Sequence, residues 1–298
     1  MKFFSCLFLV FFMTNANAQQ YTAAQQVLLD SIRATLAQQK GEFAMAFRNT
    51  ATGETILLNE HQRFHAASTM KTPVMIELYK QAAAGKFSMN DQVTVKNEFK
   101  SIVDSSLYQL DASDDSQQEL YKEIGNKRTI YELMYQMIIL SSNLATNILI
   151  ELVGGTNVTQ SMRELGAKDI QVLRGVEDNK AYAKGLNNTT TAYDLMLIFD
   201  QMARGKAVSQ QACDGMIRIL LDQKFNEIIP ARLPAGVKVA HKTGSITALH
   251  HDSGIVFLPD GRKYALVLLS AKLEDEKSAV AAMARVSELV YGYVASRP

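Results

Sequence analysis

Residues 65–80 read HAASTMKTPVMIELYK. Ser68 and Lys71 stand three apart where an apolar run opens, so on a helix they share one face. Serine is a common helix cap. A serine one turn from a lysine is also a nucleophile with a base in reach, because the hydroxyl needs a neighbour to take its proton. An amine does that when burial or other cations lower its pKa. A helix N-terminus adds free N–H groups that suit a developing oxyanion. Pro73 lacks a backbone donor and fits where the helix begins close to Ser68. On these residues alone both readings stand.

Outward from this stretch the chain changes character on both sides. Before it, residues 23–39 carry Val27, Leu28, Ile32 and Leu36 at helical spacing. Phe43, Met45 and Phe47 then alternate on one face of a strand, and Gly53 turns the chain back into residues 55–58, a β-hairpin. After it, the signals stay mostly helical to about residue 223. Thr129-Ile130-Tyr131-Glu132 is a capping-box pattern ahead of LMYQMIILSSN, whose Met and Leu content reads as buried helix. TNVTQSMRELG ends on a glycine stop, and Thr191-Ala192-Tyr193-Asp194 opens LMLIFDQMARG in the same capped way. Strand patterns return in VKVAHKTG, SGIVFL and KYALVLLSA, with Pro259-Asp260-Gly261 as a hairpin turn between the last two. Residues 274–296 close as a helix, with Val280, Met283, Val286, Leu289 and Val290 in register. The expected fold is α/β (α+β). One antiparallel sheet is built from both chain ends and flanked by terminal helices, and a mostly α-helical lobe, about residues 68–223, is inserted between its strands. A crevice between sheet and lobe is the natural place for a site.

The chain has 298 residues, 47% hydrophobic and 20% charged, enough for one sizeable core. Its 31 basic and 30 acidic side chains leave a net charge of +1, so no nucleic-acid partner is indicated. The opening residues, MKFFSCLFLVFFMTNANAQQ, are read separately. Lys2, a short apolar core and Ala16-Asn17-Ala18 match a secretory signal peptide cut after Ala18, which leaves residues 19–298 as the catalytic domain. The expected location is the periplasm or the exterior, with no membrane anchor after cleavage. Cys6 falls within the signal, and Cys213 is then alone, so the mature chain has no internal disulfide. A monomer is the simplest expectation.

Two further segments pair with the first. LSSNLATN places Ser141, Ser142 and Asn143 at a turn, where Ser141 can relay a proton and Asn143 can bind an amide; an ordinary Ser/Asn turn is the plain alternative. VAHKTGSITA places Lys242, Thr243, Gly244 and Ser245 on a strand. The lysine and hydroxyls suit a carboxylate, and the glycine lets a ligand lie close; a strand end with a solvated lysine is the plain alternative. His250-His251-Asp252 suggests a metal only superficially, because neighbours on a strand point to opposite faces and a site needs three or four convergent ligands.

S-x-x-K, S-x-N and K-T-G in this order, across essentially the whole mature chain, resemble the class A β-lactamases and related penicillin-recognising serine hydrolases. The resemblance implies that Ser68 attacks a β-lactam carbonyl to form an acyl-enzyme, that Lys71 activates it, and that Ser141 delivers a proton to the leaving nitrogen. Asn143 would bind the substrate's side-chain amide, Lys242 and Thr243 its carboxylate, and the N–H groups of Ser68 and Ser245 its oxyanion. No metal or organic cofactor is implied. Two departures stand out. Ser142 occupies a position that is usually aspartate. In the family's omega loop a glutamate is followed four residues later by an asparagine; here Glu177, the obvious deacylation base, is followed by Ala181, and it sits one position late relative to Arg174. Arg174 and Thr189-Thr190-Thr191 look like the loop's ends. Against the base reading stands an equal one, in which Glu177 is a solvated loop acid or a salt-bridge partner of Arg174. A D-alanyl-D-alanine peptidase, an esterase, or a slowly deacylating penicillin-binding or sensor protein on the same scaffold therefore remain alternatives.

Overall fold

The computed structural model describes residues 21–297, so the signal-peptide expectation lies outside the described residues. Helix α1 (Ala23–Leu36) opens with a capping box. The Thr22 hydroxyl accepts from the Gln25 amide, and the Gln25 side chain accepts from the Thr22 amide. Its buried face is Leu28, Leu29, Ile32 and Leu36, whereas Val27 is 68% exposed and points away from the core.

Strands β1 (Glu42–Asn49) and β2 (Thr55–Leu58) form the expected hairpin. After the short β3 (Phe64–His65) and a 3-10 turn over Ala67–Met70, α2 (Lys71–Ala83) begins. Four more short strands follow: β4 (Gln92–Thr94), β5 (Phe99–Lys100), β6 (Leu107–Tyr108) and β7 (Lys127–Thr129). Then come α3 (Ile130–Ile139), α4 (Asn143–Val153), α5 (Gly155–Glu164), α6 (Asn179–Ala183), β8 (Thr189–Thr190), α7 (Ala192–Ala203) and α8 (Gln210–Leu221). Strands β9 (Lys238–Ile246), β10 (Leu249–Phe257) and β11 (Lys263–Ala271) return to the main sheet, and α9 (Glu276–Ala295) closes the chain.

The main sheet runs β2-β1-β11-β10-β9, antiparallel throughout. Because β1 pairs with β11, the first and last thirds of the chain meet in its middle, with Met45 opposite Leu268. Both faces are buried, and the period of two sorts the side chains between them. Phe43, Met45, Phe47, Tyr264, Leu266 and Leu268 pack under α1 and α9 with Ile32, Val286 and Val290. Ala44, Ala46, Ala265, Val267 and Leu269 face the helical lobe and join Met70, Val74, Phe199 and Met202. The small alanines let the lobe lie close against the sheet at the point where the site is built.

Inside the lobe, the capping box at Thr129 and Glu132 opens α3 as its sequence indicates. Thr191 caps α7 through the Asp194 amide, but the box does not close there. The Asp194 carboxylate instead accepts from the amides of Asp169 and Ile170, both at 2.6 Å. The chain reverses between β10 and β11 at Pro259-Asp260-Gly261, where Gly261 adopts φ +90°.

Candidate active site

The opening question about Ser68 has a direct answer: no side chain caps the 3-10 turn over Ala67–Met70 or the helix that follows it. Ser68 therefore does not act as a cap. Ala67, just before it, takes φ +45°, a left-handed conformation costly for a residue with a Cβ. Ser141 and Glu177 share this strain at φ +57° and +61°. Three strained residues around one cleft indicate a backbone held for geometry rather than ease.

Lys71 starts α2 and is fully buried. Its Nζ donates to the Ser141 carbonyl at 2.6 Å, to Ser141 Oγ at 3.2 Å and to Asn143 Oδ1 at 3.0 Å. Burial holds its pKa down to about 7, while the Asp115 and Glu177 carboxylates push back upward. Lys242, on β9 and equally buried, donates to Ser141 Oγ at 3.1 Å and to its neighbour's carbonyl, Thr243 O, at 2.9 Å. Burial, with the Lys71 charge nearby, holds its pKa well below the ordinary lysine value. One hydroxyl thus ties together the second and third segments picked out in the sequence, and the Lys71 amine ties them to the first.

Gly244 explains how β9 approaches so closely. A Cβ there would stand 3.0 Å from the backbone nitrogens of both Ser68 and Thr69. Glycine lets the strand lie against the start of the Ser68 turn without crowding it. Ser245, next along, is exposed and lines the cleft.

Asn143 is the hub of the other flank. Its Nδ2 donates to Glu177 Oε1 at 2.9 Å while its Oδ1 accepts from Lys71. Glu177 is therefore neither the solvated acid nor the salt-bridge partner of Arg174: it is half-buried, and its side chain accepts from Asn143. Arg174 instead donates to the Leu186 and Gly175 carbonyls and to Asn187 Oδ1, holding the loop's two ends together. Burial raises the Glu177 pKa, and the Asn143 hydrogen bond partly offsets this. Ala181, four residues on, is buried in α6, with its amide given to the capping Asp178 carboxylate.

Two residues that the sequence did not single out complete the frame. Asp115 is buried, and its Oδ2 accepts from the amides of Asn143 and Leu144, both at 2.9 Å, and from the Tyr121 hydroxyl at 3.0 Å. It thereby supplies a carboxylate to the N-terminus of α4, where Ser142 contributes a neutral cap to the Ala145 amide. Asn147 clamps Val176 by both backbone groups, accepting from its amide at 2.6 Å and donating to its carbonyl at 3.0 Å, which fixes the residue before Glu177. Its place one turn after Asn143 on α4 was a usable signal. His250 faces the cleft and is bonded to Glu276, while His251, on the other face of β10, is buried against the His65 carbonyl.

Two connected hollows open on Ser68. One, about 600 Å³, runs along Ser141, Thr243, Ser245 and His250 toward α9. The other, about 500 Å³, runs along Asn143 and Glu177 toward Tyr182 and Ile246. A cleft with the Ser68 hydroxyl, two buried amines and a half-buried carboxylate around it holds the kinds of group that acyl transfer uses.

A model of the Beta-lactamase enzyme family matches residues 27–294. The extended-spectrum β-lactamase PER-1 of Pseudomonas aeruginosa is 25% identical over 286 residues, covering 91% of this chain and 89% of that protein. The β-lactamase from Sphaerobacter thermophilus DSM 20745 superposes with a TM-score of 0.76 at 25% identity, over 93% of this chain and 98% of that one. An acyl-enzyme complex of a PBP-A variant with penicillin G shares the fold, with a TM-score of 0.77 at 24% identity, over 91% and 97% of the two chains. The chain belongs to the beta-lactamase enzyme family, and it is a serine hydrolase of the class A type.

Proposed function

We propose that the protein hydrolyses β-lactam amides through an acyl-enzyme on Ser68. The observation that carries this reading is the pair of buried amines, Lys71 and Lys242, hydrogen-bonded to the single hydroxyl of Ser141 beside the Ser68 cleft. A Lys71 pKa of about 7 gives an amine that is substantially neutral near neutral pH and can accept a proton. Lys71 takes the Ser68 proton as Oγ bonds to the β-lactam carbonyl carbon. The N–H groups of Ser68 and Ser245 hold the resulting oxyanion. When the C–N bond breaks, Ser141 gives its proton to the leaving nitrogen and takes back the one that Lys71 gained from Ser68. Its oxygen accepts hydrogen bonds from both lysines, which leaves that proton free for the cleft. Asn143 binds the side-chain amide of the substrate, and Lys242 and Thr243 its carboxylate. Glu177, whose proton affinity burial has raised, activates the water that releases the product.

A second reading is favoured by one observation. The position four residues past Glu177 is the buried Ala181, so no side-chain amide there helps hold a hydrolytic water. On that reading the acyl-enzyme persists, and the protein captures penicillin or serves a D-alanyl-D-alanine peptide or an ester. Time-resolved intact-mass measurement with benzylpenicillin separates the two. A transient adduct with product accumulation supports the hydrolase, and a lasting adduct supports the slow enzyme. No adduct on the native protein, or one retained by Ser68→Ala, overturns both. Nitrocefin and a D-Ala-D-Ala peptide, assayed in parallel, identify the preferred substrate.

We also propose cleavage after Ala18, one catalytic domain over residues 19–298, and an exported monomer. No helix of the described residues is long and apolar enough to cross a membrane. N-terminal sequencing of the secreted protein tests the cleavage, and sedimentation tests the monomer.

A further inference from the structure

The far wall of the larger hollow carries a hydrogen-bonded chain that the reading above leaves unused. Ser245 Oγ lies 3.0 Å from His250 Nδ1, and His250 Nε2 lies 2.7 Å from Glu276 Oε2. Antiparallel register sets Ser245 directly opposite His250, so both face the same side of the sheet. Glu276 enters from the first turn of α9, where its other oxygen accepts from the Ala248 amide at 2.9 Å. These bonds hold its carboxyl below the ordinary value, so it is an acceptor only.

That fixes the direction of every bond in the chain. Glu276 takes the Nε2 proton. A neutral His250 then has a bare Nδ1, and Ser245 must donate its hydroxyl proton to it. Ser245 shows the cleft only lone pairs, which repel an anion. When His250 gains a proton, Nδ1–H donates to Ser245 Oγ, and the serine proton is released to point into the cleft. The same event adds a positive charge to that wall.

We propose that His250, braced by Glu276, is a specificity-determining residue whose protonation turns the Ser245 hydroxyl toward a substrate carboxylate. This rests on the β-lactam reading of the cleft and names how one end of it recognises an anionic ligand. The charged groups around the imidazole are few. Lys277 of α9, Glu227 ahead of β9 and Asp114 of the lobe line the same hollow. Lys242 lies buried on β9, three residues from Ser245. His251 accepts from the Ser270 amide and donates to the His65 carbonyl, and burial holds it down to about 4, so it stays neutral across the working range.

The test uses a penicillin with a free carboxylate and the methyl ester of the same penicillin. Both are titrated calorimetrically into full-length Ser68→Ala protein at about pH 5.5 and about pH 8.5, spanning the range in which imidazoles as a class change charge. The expected result is an acid-to-ester affinity ratio about tenfold larger at the lower pH, the scale of one charge-assisted hydrogen bond. Adding His250→Gln flattens the ratio. Adding Glu276→Gln moves its midpoint to lower pH, because the imidazolium loses its anionic partner. A flat ratio in the Ser68→Ala protein overturns the proposal. So does a ratio that still varies with pH in the His250→Gln protein, which assigns the effect to Lys71. Failure of both ligands to bind overturns it too. Whether the native protein forms a penicillin adduct, measured separately, tells that outcome from a failure of the β-lactam reading itself.

Discussion

Lys71, from the start of α2, and Lys242, from β9, reach the same oxygen: their amines lie 3.2 and 3.1 Å from Ser141 Oγ. Two ammonium groups sharing one buried acceptor repel each other, and burial alone disfavours each charge. The neutral form of at least one is thereby made accessible near pH 7, which is the condition for a lysine to act as a base.

Lys71 sets the first prediction. Its pKa of about 7 means that the base form is gained as pH rises through that value. The kcat/KM for a penicillin should therefore climb tenfold per pH unit below about 7 and level off above it. Lys71→Ala should lower kcat/KM by about a thousandfold or more and abolish this limb. A profile that is flat from pH 5 to 8, about the range a histidine or tuned lysine spans, would remove Lys71 as the base.

Glu177→Gln keeps the hydrogen bond from Asn143 by its carbonyl oxygen but cannot take a proton from water. Acylation should proceed, and release should slow by about a hundredfold or more, so an adduct accumulates in intact-mass spectra. In the native protein, release should weaken as pH falls through the raised Glu177 pKa, because only the carboxylate is a base. Undiminished turnover by the Gln variant would exclude Glu177 from the mechanism.

Asp115→Asn separates two duties of one carboxylate. Its charge lifts the Lys71 pKa, so removing it should move the acidic limb of kcat/KM to lower pH. Asp115→Ala also strips an acceptor from the buried Asn143 and Leu144 amides and should cost about 2 kcal/mol of stability. Urea unfolding and a pH–rate profile read the two effects independently; an unmoved limb in the Asn variant would confine Asp115 to a structural role.

Gly244→Ala would set a methyl group 3.0 Å from the Ser68 and Thr69 nitrogens. Strand β9 or the turn at Ser68 must give by a few tenths of an ångström. Acylation should fall by about tenfold, less than the roughly hundredfold cost of a 1 Å misplacement, with a small loss of melting temperature. A wild-type acylation rate would show that the close approach is dispensable.

What could be read from the chain alone followed from local period and local chemistry. Phe43, Met45 and Phe47 alternate, and the sheet sorts them as that alternation says. Thr129 and Glu132 spell out a cap and form one. Ser68, Lys71, Ser141, Asn143 and Lys242 were all picked out before their contacts were known. Asp115 and Glu276 were not, because their partners are 28 and 26 residues away and no periodicity links them. The short strand pairs were missed for a similar reason: two or three residues each are too few to show alternation. Val27 was misassigned to the buried face because the inward stripe of α1 runs through Leu28, Leu29, Ile32 and Leu36, and Val27 falls outside it.

The pairing of β1 with β11 has a temporal side. Glu42 lies opposite Ala271, a separation of 271 − 42 = 229 residues. The central seam of the sheet cannot zip until nearly the whole polypeptide has emerged from the ribosome, and such distant closures are slow. Lys242 lies 242 − 71 = 171 residues after Lys71, so a partly made chain can carry Ser68 and Lys71 while still lacking the second amine.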